Sequence, residues 1–480
     1  MNLTDLVVLL PVMVVITWAL LLLLVDLWIP KDHKSMTASL AAFGMAAAMG
    51  LSLSQGGHIL AGFDGMVVLD GFSIYMDVII LGAGMTAVGL AYDYLKRMGM
   101  ERGEYYVLLM LSVAGMMLMA QAHNLIIVFL SLELLSMPLY ILAAFDRSRA
   151  DSGEAGLKYF MLGAFTAGFL LYGVALIFGA TGHTDFSGII NAVQTGAVNQ
   201  PLFVVGMGML VVGFGFKVAA VPFQMWTPDV YQGAPSPVTG FMSVGVKAAA
   251  LAALMRVFLT LFPGMAASLA PVLAVLAALT MIVGNLLAIL QTNIKRLLAF
   301  SSIANAGYLL MAFSSYGKAE IASQVVGSML FFLTAYALTS LGAWAVVIAL
   351  EKPGGRGLEL DDYSGLGRKY PWLAVPMLIF MLSFTGMPLT LGFWGKFYLF
   401  KTAIDGGYLW LAIVGLITSV VSAYYYLRVV MVMFMKAGDP EAAPDPWGRV
   451  LVAGLAAAVV LLSLLPGRLL ELAAQAILRL

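Results

Sequence analysis

Long apolar runs, separated by short polar connectors, follow one another along the whole chain. Most runs are about 20 residues long, the length that an α-helix needs to cross the ~30 Å hydrocarbon core of a bilayer. Only helices and closed barrels satisfy their backbone groups in lipid, and these runs lack the alternation of barrel strands. The pattern therefore predicts an all-α integral membrane protein that forms one compact bundle. Its fourteen predicted spans are residues 4–29, 36–54, 70–91, 104–121, 124–145, 153–180, 202–221, 237–262, 271–291, 297–315, 321–350, 371–400, 408–435 and 448–476.

The basic residues of the connectors predict which side of the membrane each connector faces, because lysine and arginine are enriched in cytoplasmic loops. The connectors after odd-numbered spans hold Lys31, Lys34, Lys96, Arg97, Arg102, Arg147, Arg149, Lys295, Arg296, Lys352, Arg356, Arg368, Lys369, Lys436 and Arg449. The opposite side, termini included, holds Lys318, Lys401, Arg468 and Arg479. Both termini are therefore expected to face away from the cytoplasm. The first apolar run is too long for a cleaved signal peptide and has no basic start, so it is expected to be a span.

Composition narrows the chemistry that the chain can carry. Of the 480 residues, 62% are hydrophobic and 10% are charged, and the mean hydropathy is +0.98. The absence of cysteine excludes iron–sulfur clusters and disulfides held by this chain. The four histidines, His33, His58, His123 and His183, lie in or near connectors, so a haem held by two histidines at mid-membrane is not expected.

A small set of basic residues falls inside the predicted spans: Lys158, Lys217, Lys247, Arg256, Lys396 and Arg428. Arg256 and Arg428 lie near span ends and are predicted to reach the headgroups. The four lysines lie deeper, where a charge costs roughly 3 kcal/mol and usually faces a wet interior, although Lys158 is closer than the others to the cytoplasmic end of its span. A desolvated lysine can release its proton, whereas an arginine stays charged, so the lysines are candidates for proton transfer. The alternative is that they form fixed ion pairs that hold the bundle together.

The motif SLELLSMPLY, residues 131–140, places a carboxylate deep in span 5. Glu133 is about ten residues from the nearer end, which at ~1.5 Å per residue is roughly 15 Å into the membrane. A buried carboxylate and a nearby lysine stabilise each other's charge, and separating them favours loss of the lysine proton. Glu133 is therefore expected to work with a deep lysine. Asp77 in span 3 is a weaker candidate, because a position near the outer edge would also explain it.

Two spans carry a proline inside an apolar run. Pro222 in span 7 and Pro388 in span 12 each remove an internal hydrogen bond and break the helix. Non-helical backbone at that depth is tolerated only where protein or water covers it, and each break lies close to a lysine, Lys217 or Lys396. Broken spans at corresponding places in two halves indicate the ion path of transporters built from inverted repeats. The predicted repeats are spans 4–8, residues 104–262, and spans 9–13, residues 271–436.

Four motifs carry a family resemblance. They are SLELLSMPLYIL around Glu133, KVAAVPFQMWTPDVYQGAPSPVTGF at 217–241, QTNIKRLLAFSSIANAGYLL at 291–310 and GMPLTLGFWGKFYLF in the broken span 12. Together they resemble the proton-translocating antiporter-like family, which is shared by the membrane arm of respiratory complex I and by multisubunit cation/proton antiporters. Within that family the chain is most similar to a complex I member with fourteen spans and no long lateral helix. A lysine rather than a glutamate at position 396 argues against the medium-sized member.

The resemblance implies roles for the deep residues. Glu133 and Lys217 would form a pair that exchanges a proton. Lys158 and Lys247 would be relay positions, and Lys396 would be the outlet in the second half. The activity implied is proton translocation, coupled to electron transfer that takes place in other subunits of an NADH–quinone oxidoreductase.

The resemblance also implies a setting. FMN, iron–sulfur clusters and quinone are expected in other subunits, with no cofactor and no metal held by this chain. The implied partners are other membrane-arm subunits, including neighbouring antiporter-like subunits, and membrane lipids, without nucleic acid. The implied location is a bacterial inner membrane, with both termini on the periplasmic side. Asn305 stands where relatives often have histidine, and this puts a titrating step at that position in doubt.

Two other functions stay open on the sequence. A subunit of a multisubunit Na⁺/H⁺ antiporter would need a second deep carboxylate or a hydroxyl cluster, because a hard cation prefers oxygen ligands. A structural membrane scaffold would use the deep lysines only for assembly. In that case, alanine at Lys217, Lys247 or Lys396 would leave proton pumping intact.

Overall fold

The computed structural model describes residues 2–30, 33–443 and 445–476, which fold almost entirely into helices. Lys31 and Arg479, which contributed to the predicted sidedness, lie outside the described residues. The helices are α1 Leu3–Val25, α2 Ser35–Ser54, α3 Gly71–Arg97, α4 Glu104–Gln121, α5 Leu125–Ala143, α6 Ala150–Thr181, α7 Phe186–Thr195, α8 Gln200–Val218, α9 Trp226–Gly233, α10 Ser236–Leu261, α11 Ala266–Ile289, α12 Ile294–Phe313, α13 Ala322–Leu350, α14 Leu366–Lys369, α15 Pro371–Thr385, α16 Leu391–Asp405, α17 Leu409–Met435, α18 Pro446–Ser463 and α19 Pro466–Gln475. Two short strands, β1 Leu60–Gly62 and β2 Val67–Leu69, form an antiparallel hairpin between α2 and α3.

The predicted spans are found with two interruptions. In the described part of the chain, thirteen helices are long and apolar enough to cross a membrane. The remaining predicted span, number 12, is present as α15 and α16, each 15 residues long. Span 7, predicted as residues 202–221, is present as α8, and beyond the break at Pro222 the chain continues in the short helix α9, which the predicted bounds did not include. The fourteen-span prediction with broken spans 7 and 12 is therefore confirmed.

The last predicted span, 448–476, is wrong in its extent. Its crossing helix α18 ends at Ser463, and the remaining residues form the separate helix α19, which packs against α13. The physical reason is Pro466, which cannot donate the hydrogen bond that would continue α18 but is well suited to begin a new helix. Apolarity alone does not reveal this break, because residues on both sides of it are leucine-rich.

The centre of the bundle is built from α10, α12 and α13. In the apolar 18-residue stretch of each of these helices, 94%, 94% and 89% of the residues are buried. The corresponding fractions are 33% in α1 and 28% in α18, so these two helices lie at the rim. The three central helices pack against one another. They therefore provide the position where a charged side chain is best shielded from lipid.

The two predicted halves share one packing plan. Helix α4 packs against α5 and α10, as α11 packs against α12 and α17. The broken span of each half also has an equivalent neighbour, because α6 contacts α8 and α9 while α13 contacts α15 and α16. Since each half contains five spans, an odd number, the second half begins on the opposite side of the membrane. The packing agrees with inverted repeats, whose limits at 104–262 and 271–436 stay a prediction.

Arg256 does not snorkel, and the prediction that it does was wrong. Its guanidinium is fully buried and donates to both carboxylate oxygens of Asp70, at 2.9 and 3.1 Å, while Nε donates to the Ala120 carbonyl at 2.9 Å. Asp70 is also the N-cap of α3 and accepts from the Ser73 amide. The pair thus joins α3, α4 and α10. Arg428 donates to carbonyls at the C-terminal end of α11, at 3.2 and 3.3 Å.

The connectors on the N-terminal side of the membrane are more ordered than the hydrophobic pattern predicts. Val67 of the hairpin bridges to Ala122, and Asn124 bridges to Asp185. Asp185 is the N-cap of α7, a ten-residue helix too short to cross a bilayer. This side also holds His123, where burial lowers the pKa to about 4, so the imidazole stays neutral.

Candidate functional site

The first helix break presents Lys217 at the end of α8. Ala219, directly after α8, has a φ of 61°, and Pro222 lies within the break. The indole of Trp226, the first residue of α9, donates to the Phe216 carbonyl at 2.9 Å. A side chain thus satisfies one of the carbonyls that a helix end leaves unpaired. Lys217 lies in the last turn of α8, where the helix dipole favours a positive charge.

The Lys217 amine is buried among α5, α6 and α8. Nζ donates a hydrogen bond to Ser136 Oγ at 2.7 Å. The amine lies 5.2 Å from the ring centre of Tyr159, 5.6 Å from that of Tyr140 and 5.9 Å from that of Phe216. Aromatic faces at these distances attract a cation. The surroundings therefore accommodate a protonated amine without a directly bonded carboxylate.

Glu133 lies on α5, three residues before Ser136, and is half-buried. The contacts described for this part of the chain include no salt bridge between Glu133 and Lys217, so the expected pair is not a direct one here. Leu130 and Met137 are 51% and 59% exposed and share the outward face of α5 with Glu133. The carboxylate thus lies between the buried lysine and the outer surface of the chain.

The second break also has a buried lysine beside it, Lys396, which lies on the helix after the break, α16. Helix α15 ends at Thr385, Gly386 has a φ of 87°, and Pro388 lies in the break. Lys396 Nζ donates to the Thr385 carbonyl at 3.2 Å and to Ser419 Oγ of α17 at 2.8 Å. A Cβ on Gly386 would lie 3.0 Å from the Lys396 side chain, so the absence of a side chain at Gly386 leaves room for the lysine. Lys217 therefore belongs to the last turn of its own half-helix α8, whereas Lys396 comes from the second turn of α16 and its amine reaches the C-terminal end of α15.

Lys247 lies in the buried centre, on α10. Its amine donates to the Ser302 carbonyl of α12 and is 6.0 Å from the ring centre of Tyr336 on α13. Tyr336 Oη in turn donates to Ser302 Oγ at 2.9 Å. Lys247 therefore connects the first half of the chain to two helices of the second half.

Hydroxyl and amide groups continue from this point along α12. Ser301 Oγ, next to Ser302, lies 2.5 Å from Tyr426 Oη of α17. Asn305 Nδ2 donates to the Ser301 carbonyl at 2.9 Å. Asn305 therefore holds the Ser301 turn by hydrogen bonds, and its amide has no proton to exchange near neutral pH.

The row then reaches Lys396 through α17 and α11. Tyr425, which is in ring contact with Tyr426 at 4.3 Å, donates to Asn285 Oδ1 at 2.9 Å. Asn285 Nδ2 donates to Tyr308 Oη at 3.4 Å. The ring centre of Tyr308 lies 4.8 Å from Lys396 Nζ. Polar groups thus follow one another from Lys247 to Lys396 through the buried centre.

Lys158 lies apart from this row, at the end of the bundle where α9 and α12 also meet. Its amine binds Glu154 at 2.7 Å and Asp229 at 2.8 Å, and its side chain is 41% exposed. Asp229 also binds Arg296 at 2.7 Å. A cavity of about 200 Å³ opens beside these groups, lined by Asp151, Gln232 and others. The structure therefore places Lys158 at an open mouth rather than at mid-membrane.

Asp77 lies near the start of α3, as a position towards the outer edge requires, but it faces the interior of the bundle. The side chain is fully buried in α3, where Ser52 Oγ donates to Oδ2 at 2.8 Å and Oδ1 has no hydrogen-bond partner among the described residues. Glu133 is thus not the sole carboxylate inside the bundle. No group of three or more His, Cys, Asp or Glu able to hold a metal ion occurs in the described ranges.

The sequence reasoning missed the neutral members of the site, which are Ser136, Asn285, Ser301, Ser302, Tyr308, Tyr336, Ser419, Tyr425 and Tyr426. Two signals were available. The run SSIANAGY repeats polar residues along one predicted helix, and YYY at 424–426 places hydroxyls inside another. Neither run is unusual by itself, because serine and tyrosine are common in membrane helices.

A bundle with two broken spans, each with a buried lysine beside its break, defines the antiporter-like class of membrane subunits. The chain belongs to the family described as NADH:quinone oxidoreductase/Mrp antiporter, transmembrane, whose pattern matches residues 122–422. NADH-quinone oxidoreductase subunit N of Trichlorobacter lovleyi is 44% identical over 475 residues, which cover 98% of this chain and 96% of that protein. The subunit N of Chloroflexus aggregans is 47% identical over 447 residues, covering 92% and 90%. These relatives confirm the similarity to complex I members.

Solved structures agree with the sequence relatives. A chain of respiratory complex I from Thermus thermophilus with bound aureothin superposes with a TM-score of 0.83 at 37% identity, covering 97% of this chain and 99% of that one. A chain of the Mrp complex from Dietzia sp. superposes with a TM-score of 0.86, covering 99% and 97%. Its identity is 20%, so this second likeness shows a shared fold only.

Proposed function

We propose that this chain is a proton-translocating subunit in the membrane arm of an NADH–quinone oxidoreductase. Protons enter from the cytoplasmic side, pass Lys217 and Lys247, and leave near Lys396. Glu133 exchanges protons with Lys217, and Lys158 helps to gather protons at the mouth formed with Asp229. Electron transfer from NADH to quinone takes place in other subunits.

The observation that carries the proposal is the row of polar groups between Lys247 and Lys396. Amines can bind and release protons, and each hydroxyl can both donate and accept a hydrogen bond, so these members of the row support stepwise proton transfer. The Asn285 amide and the ring contacts of Tyr426 and Tyr308 do not pass a proton themselves, and ordered water has to carry it across those links. A merely structural set of lysines would need fixed carboxylate partners, because a lone buried charge is costly. Lys217, Lys247 and Lys396 have hydroxyl and carbonyl partners instead.

The setting of the chain follows from the same features. FMN, iron–sulfur clusters and quinone belong to other subunits, and this chain works without a cofactor of its own. The half-exposed Glu133 lies on an outward face at mid-membrane, where a neighbouring membrane-arm subunit supplies a polar cover that lipid would not. The chain lies in a bacterial inner membrane with both termini on the periplasmic side, as the connector charges indicate.

The proposal is tested in membrane vesicles that contain the assembled complex. We expect NADH-driven proton pumping to fall about tenfold or more in Glu133→Ala and Lys217→Ala, because loss of a proton-transfer group typically costs ~100-fold or more in that step. NADH oxidation by an artificial acceptor serves as the assembly control. Lys401→Ala is the matched variant, since Lys401 is exposed at the far end of α16. Full pumping in both Glu133→Ala and Lys217→Ala would reject the relay.

The same vesicles separate the remaining alternatives. A Na⁺/H⁺ exchanger would show sodium-dependent proton movement without NADH, and the relay would not. A scaffold would show normal pumping per assembled complex in Lys247→Ala and Lys396→Ala, with a reduced amount of complex.

A further inference from the structure

Two tyrosines beside Lys217 have no role in the relay as described above. The hydroxyls of Tyr140 and Tyr159 are buried and have no hydrogen-bond partner among the described residues. Buried polar groups nearly always have a partner, either protein or ordered water. The two rings that surround the Lys217 amine thus carry hydroxyls whose hydrogen-bonding capacity is left for an ordered water.

The rings of these tyrosines are fixed in relation to the amine. They meet edge to face, with centres 4.8 Å apart and planes at 85°. Tyr159 also stacks on Trp226 at 4.7 Å, the residue whose indole bonds the end of α8. Gly163 is packed against Tyr140 so closely that a Cβ there would lie 2.2 Å from the hydroxyl oxygen. The helix break, the rings and Lys217 therefore pack together as one group.

The hydrogen-bonding capacity of Lys217 is not filled by protein. An ammonium has three donors, and the one hydrogen bond described for Lys217 goes to Ser136 Oγ. Glu133, half-buried on the same helix as Ser136, does not bond the amine directly. A water needs two to four polar partners, and an ammonium donor, a carboxylate and a tyrosine hydroxyl supply them.

We propose that Tyr140 and Tyr159 are positioning residues for proton exchange between Glu133 and Lys217. Their ring faces stabilise the protonated amine, and their hydroxyls hold the water that joins the two groups. A proton leaves the Glu133 carboxyl for this water, and the water gives one of its own protons to the Lys217 amine, so that the water is regenerated. This inference rests on the proposed function, because it concerns the same transfer step.

The ring and the hydroxyl can be tested separately in vesicles that contain the assembled complex. Tyr159→Leu removes both, and we expect the alkaline limb of the pH profile of NADH-driven pumping to move to lower pH by about one unit, because the cation loses an aromatic face. Tyr159→Phe keeps the ring, and we expect pumping to slow about three- to tenfold without a shift of the limb. Tyr140→Phe and Gly163→Ala should slow pumping similarly, since each removes or displaces the Tyr140 hydroxyl.

Tyr105→Phe is the matched control, because Tyr105 is also fully buried with a hydroxyl unpaired among the described residues and packs beside Phe145 rather than beside a lysine. Wild-type pumping in both phenylalanine variants would reject the water-holding role. A wild-type pH profile in Tyr159→Leu would reject the stabilisation by the rings. If Tyr159→Leu does not assemble, the phenylalanine variants still test whether the hydroxyls hold water. The pH profile of Tyr140→Leu then tests whether the rings stabilise the protonated amine. Loss of pumping in Lys217→Ala together with normal Tyr variants would overturn this inference alone, whereas normal pumping in both Glu133→Ala and Lys217→Ala would overturn the proposed function.

Discussion

The partners of the Lys396 amine allow it to release its proton. Its amine meets one carbonyl, one hydroxyl and one aromatic ring, and the described contacts include no carboxylate that would keep it charged. An amine of this kind can lose its proton without leaving a buried anion behind. An arginine at the same place could keep similar contacts but would stay charged.

Lys396→Arg should therefore assemble and yet pump poorly. We expect NADH-driven pumping to fall about tenfold or more, because the guanidinium does not release its proton. The measurement is NADH-driven proton uptake by the vesicles. It is divided by the separately measured rate of NADH oxidation by an artificial acceptor, which reports the amount of assembled complex. Lys401→Arg, at an exposed position on the same helix, is expected to pump normally. An arginine variant that matches wild type would show that Lys396 need not deprotonate.

At the residue scale, the sequence predicted the charged members of the site and missed the neutral ones. Lys217, Lys247 and Lys396 could be found because a charge inside an apolar run is rare and costly. Ser302 and Tyr426 could not, because their importance comes from contacts across helices far apart in sequence. For the same reason the sequence pointed to the pair Glu133 and Lys217 but not to Ser136, which receives the hydrogen bond of the amine.

At the scale of the element, the ends of helices shape the surroundings of the buried charges as much as individual side chains do. The two half-helices α8 and α15 end inside the bundle; α8 carries Lys217 in its last turn, and the Thr385 carbonyl at the end of α15 accepts from Lys396. The opposite end of the bundle uses a buried ion pair instead, since Asp70 begins α3 and Arg256 joins it to α10. This pair fixes the first three helices to the first predicted half.

Arg256→Ala should destabilise that connection strongly. It leaves the Asp70 carboxylate buried without its partner, which typically costs about 3–5 kcal/mol. The expected result is a lower unfolding temperature of the purified complex and less of this chain in it. The double variant Asp70→Asn with Arg256→Met should be milder than Arg256→Ala, because no charge remains and asparagine still caps a helix. Equal stability of Arg256→Ala and wild type would contradict a structural role of the pair.

At the scale of the whole molecule, the hydrophobic pattern predicted the fold more completely than the site. Span number, the two breaks and the single bundle follow from apolar length and from proline, which are local properties. The hairpin at Leu60–Leu69, helix α7 and the separate helix α19 were missed because they are short and depend on turns and packing. The buried position of Asp77 was likewise set by α2, which lies against α3.

The orientation of the molecule can be tested because the chain contains no cysteine. Gln194 is exposed on α7, on the side of the N-terminus, and Arg368 is exposed on α14, on the other side. In right-side-out vesicles we expect a membrane-impermeant maleimide to label Gln194→Cys and to leave Arg368→Cys unlabelled until the membrane is opened, because basic connectors stay in the cytoplasm. Inverted vesicles should give the opposite result, and the unsubstituted chain is the blank. Labelling of Arg368→Cys alone from the periplasmic side would show that the chain has the opposite orientation. The direction in which Lys217 and Lys396 pass the proton would then also be opposite.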